Sequence, residues 1–114
     1  MARIRTPDPM TRRHLLEKTL DPAQALRIAE AYLAEGRRSE AIAFLARAEA
    51  PDQLEALRAE ARAEGDVFLL KAACHALGGD PSSDDWRQVE DAAEASGKLR
   101  YAGLARRQAE GGND

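Results

Sequence analysis

Few residues in this 114-residue chain carry the side chains of covalent chemistry, and their spacing argues against that use. The only cysteine and one of the two histidines are adjacent, as Cys74-His75. They have the residue types of a nucleophile and its base. A helical reading of the segment sets neighbouring side chains about 100° apart, so the two do not meet. Cys74 follows Pro51 at the interval at which Leu45 follows Pro22, which makes it the counterpart of a core leucine and a buried structural thiol. His14 is remote in sequence, and one cysteine gives no Cys/His ligand spacing. Gly78-Gly79 precedes no lysine, so no phosphate-cradling loop is present. Asp84, Asp85, Glu90, Asp91 and Glu94 concentrate acid on one segment, with the spacing of a wet helix face and its Asp residues at the favourable N-terminal end. The expectation is a non-enzyme with no catalytic residue, no cofactor and no metal.

The elements that would position these side chains are helices. No strand-like alternation occurs anywhere. Residues 1–7 form an aperiodic basic lead-in, expected to be flexible or extended. Asp8-Pro9 and Asp21-Pro22 are both helix starts, with Asp as N-cap and Pro at the first helical position. Gln24 adds a capping-box-like arrangement at the second start. The first start opens a capping helix over 8–20. The second opens a helix with Leu26, Ile28, Ala29, Tyr32 and Leu33 on its apolar face, ended by Gly36. A partner helix carries Ala41, Ile42, Phe44, Leu45 and Ala48. The pattern returns from Pro51, turning at Gly65, and from Pro81, turning at Gly97. Three helix hairpins are therefore expected, at 22–50, 51–79 and 81–109, with a frayed tail at 110–114. The run Val67, Phe68, Leu69, Leu70, Ala73, Cys74 and Leu77 is read as the most buried helix. Trp86, Leu99, Tyr101, Ala102, Leu104 and Ala105 are read as inward-facing. Repeats of about 30 residues mean stacked units, none of which buries its apolar face alone.

Composition agrees with this reading. The length is that of one domain, 1–114. Apolar residues make up 44%, largely alanine, which calls for closely spaced helices rather than bulky layers. No run reaches the roughly 18–20 apolar residues of a membrane span. The arginine-bearing N-terminus lacks an apolar stretch, so it does not read as a secretory signal. With one cysteine and no disulfide framework, a soluble cytoplasmic protein is expected. The net charge of −3 is uneven: residues 1–18 carry Arg3, Arg5, Arg12, Arg13 and Lys18 against Asp8 and Glu17, while the rest is acidic. An acidic body disfavours nucleic-acid binding.

The hairpin pattern resembles the tetratricopeptide repeat. The first copy supplies Ile28-Ala29, Tyr32, Gly36, Glu40-Ala41, Leu45 and Ala48 at the positions of that family's Leu-small pair, tyrosine, turn glycine and second-helix packing residues. Ala25 stands where a large residue is usual. In the third copy Trp86 and Ala102 match, whereas the second keeps Gly65 but has Arg58 in place of a small residue. The resemblance implies an all-α fold of antiparallel hairpins, stacked as a short right-handed α-solenoid with an N-terminal capping helix. It also implies a groove, lined by the first helix of each hairpin, that holds a peptide or protein surface. Leu26, Arg27, Glu30 and Leu33 would line it from the first copy, and Glu55, Ala59 and Arg62 from the second. Arg87, Asp91 and Glu94 would follow from the third. The family's clamp for a C-terminal carboxylate is not supported, since the only asparagine is Asn113.

The leading expectation is thus a noncatalytic protein-interaction module or adaptor whose partner is another protein or peptide. One alternative is a self-associating structural subunit, because a three-hairpin stack has open ends. Another is binding of nucleic acid or a different acidic surface through Arg3, Arg5, Arg12 and Arg13 in the basic head.

Overall fold

The computed structural model describes residues 5–111, and the described residues are all-helical. The helices are α1 (Pro9–Glu17), α2 (Pro22–Ala34), α3 (Arg38–Arg47), α4 (Pro51–Glu64), α5 (Val67–Ala76), α6 (Ser83–Ala95) and α7 (Leu99–Gly111). By contact they fall into two units, one ending at Leu54 and one beginning at Glu55, with the division one turn into α4.

The helix starts follow from their capping side chains. Asp8 accepts from Thr11 N at 2.8 Å, Asp21 from Gln24 N at 3.4 Å and Asp66 from Leu69 N at 3.0 Å. Each satisfies a backbone donor that the first turn leaves without a carbonyl. α6 begins with a reciprocal box, in which Asp85 N donates to Ser82 Oγ at 3.1 Å and Ser82 N donates to Asp85 Oδ2 at 2.9 Å. The ends share one device: the N–H two residues past the helix cap returns to a carbonyl five residues back. It joins Arg37 to Tyr32, Ala50 to Leu45, Asp66 to Ala61, Gly79 to Cys74 and Lys98 to Ala93. The device needs a left-handed residue just before that N–H. Gly36 and Gly65 supply it at two of the ends, whereas the end of α3 uses Glu49 at φ 53°.

In the first unit, α2 and α3 pack as a hairpin. Ala25, Ile28, Ala29 and Tyr32 are buried at the i, i+3, i+4, i+7 spacing of one helix face, against Ala41, Ile42, Phe44 and Leu45. The Tyr32 and Phe44 rings stack with centroids 5.7 Å apart. In the second unit α6 and α7 pack as a helix pair. Ala102, Ala105 and Ala109 of α7 are buried, as are Trp86, Val89 and Ala93 of α6. Alanine stripes let helix axes approach closely, as the composition requires.

Two apolar expectations are corrected. Phe68 is 62% exposed and Leu99 is 71% exposed, although both were read as inward-facing. At 100° per residue, the buried side chains of α5 (Val67, Leu69, Leu70, Ala73, Cys74) fill one arc, and Phe68 falls on the opposite arc with Lys71 and His75. α5 therefore keeps a wet side. Leu99 lies off the alanine stripe of α7, in its first turn.

The turn glycines are not equivalent. A Cβ at Gly36 meets nothing within 4 Å, whereas one at Gly65 would lie 2.7 Å from Ala93 N and 2.8 Å from Ala93 Cα. Gly36→Ala should cost about 1–2 kcal/mol, the strain of a left-handed alanine. Gly65→Ala should cost clearly more, about 3 kcal/mol or above, because α6 must also move. Denaturant unfolding of the two variants checks this, and equal losses would contradict it.

Candidate partner-docking surface

The expected groove residues stand as follows. Arg27 and Glu30 are exposed on α2, and Leu26 and Leu33 beside them are half-buried. Glu55 is exposed and accepts from Arg58 Nη1 at 3.1 Å. Arg62 is half-buried and already engaged, as described below. In the basic head, Arg3 lies outside the described residues. Arg5 is exposed, and Arg13 pairs with Glu17 at 3.1 Å. Arg12 turns inward: its guanidinium carbon is 5.8 and 5.5 Å from the Tyr32 and Phe44 ring centroids, and Nη2 donates to Glu40 O at 3.1 Å. Arg37 covers Tyr32 as well, at 4.8 Å, while pairing with Glu40 and donating to Thr6 Oγ1. Arg12 is thus held by its own unit through cation–π and hydrogen-bond contacts.

The acidic segment does not form the uniformly wet face expected of it. Asp85 is 2% exposed, and it gathers donors from two elements. Arg58 reaches it with Nη2 at 2.7 Å and Nε at 3.3 Å, Arg62 with Nη1 at 2.9 Å, and Ser82 with its backbone N–H. Burial works to raise the Asp85 pKa, but the Arg58, Ser82 and Arg62 bonds together outweigh it and hold the carboxyl at about 2, below its usual 3.8. Glu90 and Glu94 are taken by Arg106, each at 2.7 Å, and Asp84 accepts from Gln88 at 2.8 Å. From the sequence Asp85 reads as one acid of a wet helix face, yet two signals mark it. Ser82 and Asp85 have capping-box spacing, and Arg58 and Arg62 stand four apart on one face of α4.

Cys74 and His75 part as their helical positions require. The thiol is buried and the imidazole exposed. Burial pushes the Cys74 thiol up, which keeps it protonated and poorly nucleophilic. Among the described residues no three His, Cys, Asp or Glu side chains are grouped as metal ligands. No helix among them is long and apolar enough to cross a membrane.

Two hollows mark the second unit. One, of about 500 Å³, lies between α4 and α6, where Ala59, Ala63 and Ala92 make the small-residue lining and Arg62, Gln88 and Asp91 the polar one. Ala59, Arg62 and Asp91, three of the residues expected to line a groove, line this hollow. The other hollow, also about 500 Å³, is bounded by Phe68 of α5 and by Leu99, Tyr101 and Leu104 of α7, with Gly97, Lys98 and Arg100 around them. The Phe68 and Tyr101 rings meet edge to face at 5.8 Å. Lys98 Nζ donates to Glu64 O at 3.1 Å, so this edge of the hollow is tied to the end of α4. Nothing in the sequence period distinguished these apolar residues from core ones.

Removing the Asp85 charge takes a carboxylate from both arginines and leaves Arg58 with the exposed Glu55. Asp85→Asn should destabilise the protein by about 3 kcal/mol, the low end for a broken buried pair because both guanidinium groups retain some water. Glu55→Gln, at the exposed partner of Arg58, should cost under about 0.5 kcal/mol. Urea unfolding of both variants measures the difference, and equal costs would mean that Asp85 is no more than a surface acid. Compared with known proteins, the chain matches no family model, no curated protein and no solved structure.

Proposed function

We propose that the protein is a noncatalytic protein-interaction module of the cytoplasm, built as a short tetratricopeptide-like solenoid. The observation that carries this reading is the exposure of Phe68 and Leu99 on either side of an apolar hollow. Large side chains held in water together, next to Tyr101 and Leu104, are what a partner covers; scattered single apolar residues would have no such meaning. The recurring helix-end geometry and the burial of Ile28, Ala29, Tyr32 and Leu45 support the repeat reading. The α4–α6 hollow, lined in part by Ala59, Arg62 and Asp91, supports that reading. Arg62 contributes there more as a fixed wall than as a free cation, since Asp85 holds it.

The test is capture of partners from cell lysate by the intact chain and by the double variant Phe68→Ser, Leu99→Ser. Leu99→Ser should alter stability by less than about 0.5 kcal/mol, and Phe68→Ser by about 1 kcal/mol because it also loses the edge-to-face contact with Tyr101. The proposal expects a specific partner that the intact chain retains and the folded double variant loses. A partner set unchanged by the double variant would remove this surface as the docking site.

A further inference from the structure

We infer that the α5–α7 hollow takes an acidic amphipathic helix of a partner protein, with apolar side chains in the hollow and carboxylates on its cationic rim. This deepens the interaction reading above and rests on it. The charge distribution identifies the occupant. Residues 55–114 carry 12 acidic and 8 basic side chains, so the unit as a whole repels acid. Four of those eight cations nevertheless line this one hollow or are i, i+3 neighbours of its lining residues. Lys98 and Arg100 line it directly. Lys71 is one helical turn from Phe68, and Arg107 one turn from Leu104, as i, i+3 neighbours.

The other four cations include Arg58 and Arg62, which belong to Asp85, and Arg106, which belongs to Glu90 and Glu94. Of the carboxylates on the hollow's own helices, Asp66 accepts from the Leu69 N–H, and Glu110 lies one turn from Arg107 but ten residues, about 15 Å along α7, from Arg100. The first turn of α7 holds no acidic residue, so its positive dipole end adds to Lys98 and Arg100 instead of being offset within the chain. Phe68 and Leu99 come from two different helices and flank the hollow, which suits a ligand presenting side chains at i, i+3 and i+4 along one face. A hollow of about 500 Å³ accommodates a few such anchors.

The experiment uses the full chain and two labelled helical peptides with the same Leu/Phe face, one with Glu and one with Lys on its polar face. Fluorescence anisotropy should show binding of the Glu peptide that weakens with added salt, and at least about tenfold weaker binding of the Lys peptide. Arg100→Glu with Lys71→Glu should weaken the Glu peptide by about tenfold while leaving the melting temperature nearly unchanged, since neither side chain is buried. Equal binding of both peptides, no binding of the Glu peptide at about 1 mM, or indifference to the charge reversals would each overturn the inference. A single-stranded oligonucleotide that binds the same surface in place of the Glu peptide would overturn it too. If the charge variants have no effect while Phe68→Ser, Leu99→Ser still loses its captured partner, the docking surface stands and only the acidic chemistry falls. If that double variant also keeps its partner, the docking reading falls with it.

Discussion

The second unit is organised by a carboxylate that it cannot leave unpaired. Asp85 sits out of water at the start of α6, and an isolated buried charge there would cost several kcal/mol. Two arginines from α4 and the Ser82 N–H satisfy it, so the position of α6 against this part of α4 is set by directional bonds as well as by apolar contact. The close approach of Gly65 to Ala93 fixes the same two helices from the other end. Between these points lies the α4–α6 hollow, whose shape follows from both restraints. Alanine-rich helices need such pins, because small side chains interdigitate weakly and leave register poorly specified.

The same knot bears on a departure from the expected repeat pattern. Arg58 follows Pro51 at the interval at which Ala29 follows Pro22, and Arg62 at the interval of Leu33. Ala29 is buried against its hairpin partner, whereas Arg58 extends to Asp85. Where the expected repeat pattern calls for a small residue, the chain has an arginine whose ion pair joins α4 to the start of α6. The first unit joins its elements by other means, with Arg12 and Arg37 over the Tyr32–Phe44 stack. Arginines that read as a loose basic head or as groove lining are in both units also structural.

Much of the helical layout could be read in advance because its signals are local. Asp8-Pro9, Asp21-Pro22, Gly36, Gly65 and Gly97 act through their own backbone bonds, whatever surrounds them. The left-handed Glu49 escaped notice because no side chain announces it; the turn there is imposed by the helices it connects. Burial was legible on α2, where one face is apolar and the other charged. It was not legible on α5, where every residue of Val67–Leu70 is apolar and only the packing of its neighbours decides that Phe68 is the one left in water. Asp85 was hidden for a related reason, since its arginines lie more than twenty residues away. The candidate docking surface is therefore a product of tertiary packing, whereas the repeat resemblance pointed instead to a groove lined by the first helix of each hairpin.

The account is most directly tested by the titration of the Asp85 carboxyl carbon, followed by nuclear magnetic resonance in the folded protein. Because the folded pKa is held below the unfolded value, the ion pairs stabilise the fold fully above about pH 4, and that contribution is lost as pH falls toward 2. The predicted midpoint is about 2, with stability falling through that window in the intact chain and less steeply in Asp85→Asn. A midpoint at the ordinary aspartate value of 3.8, with the same acid sensitivity in both proteins, would contradict the claim that Asp85 and its arginines hold the second unit together.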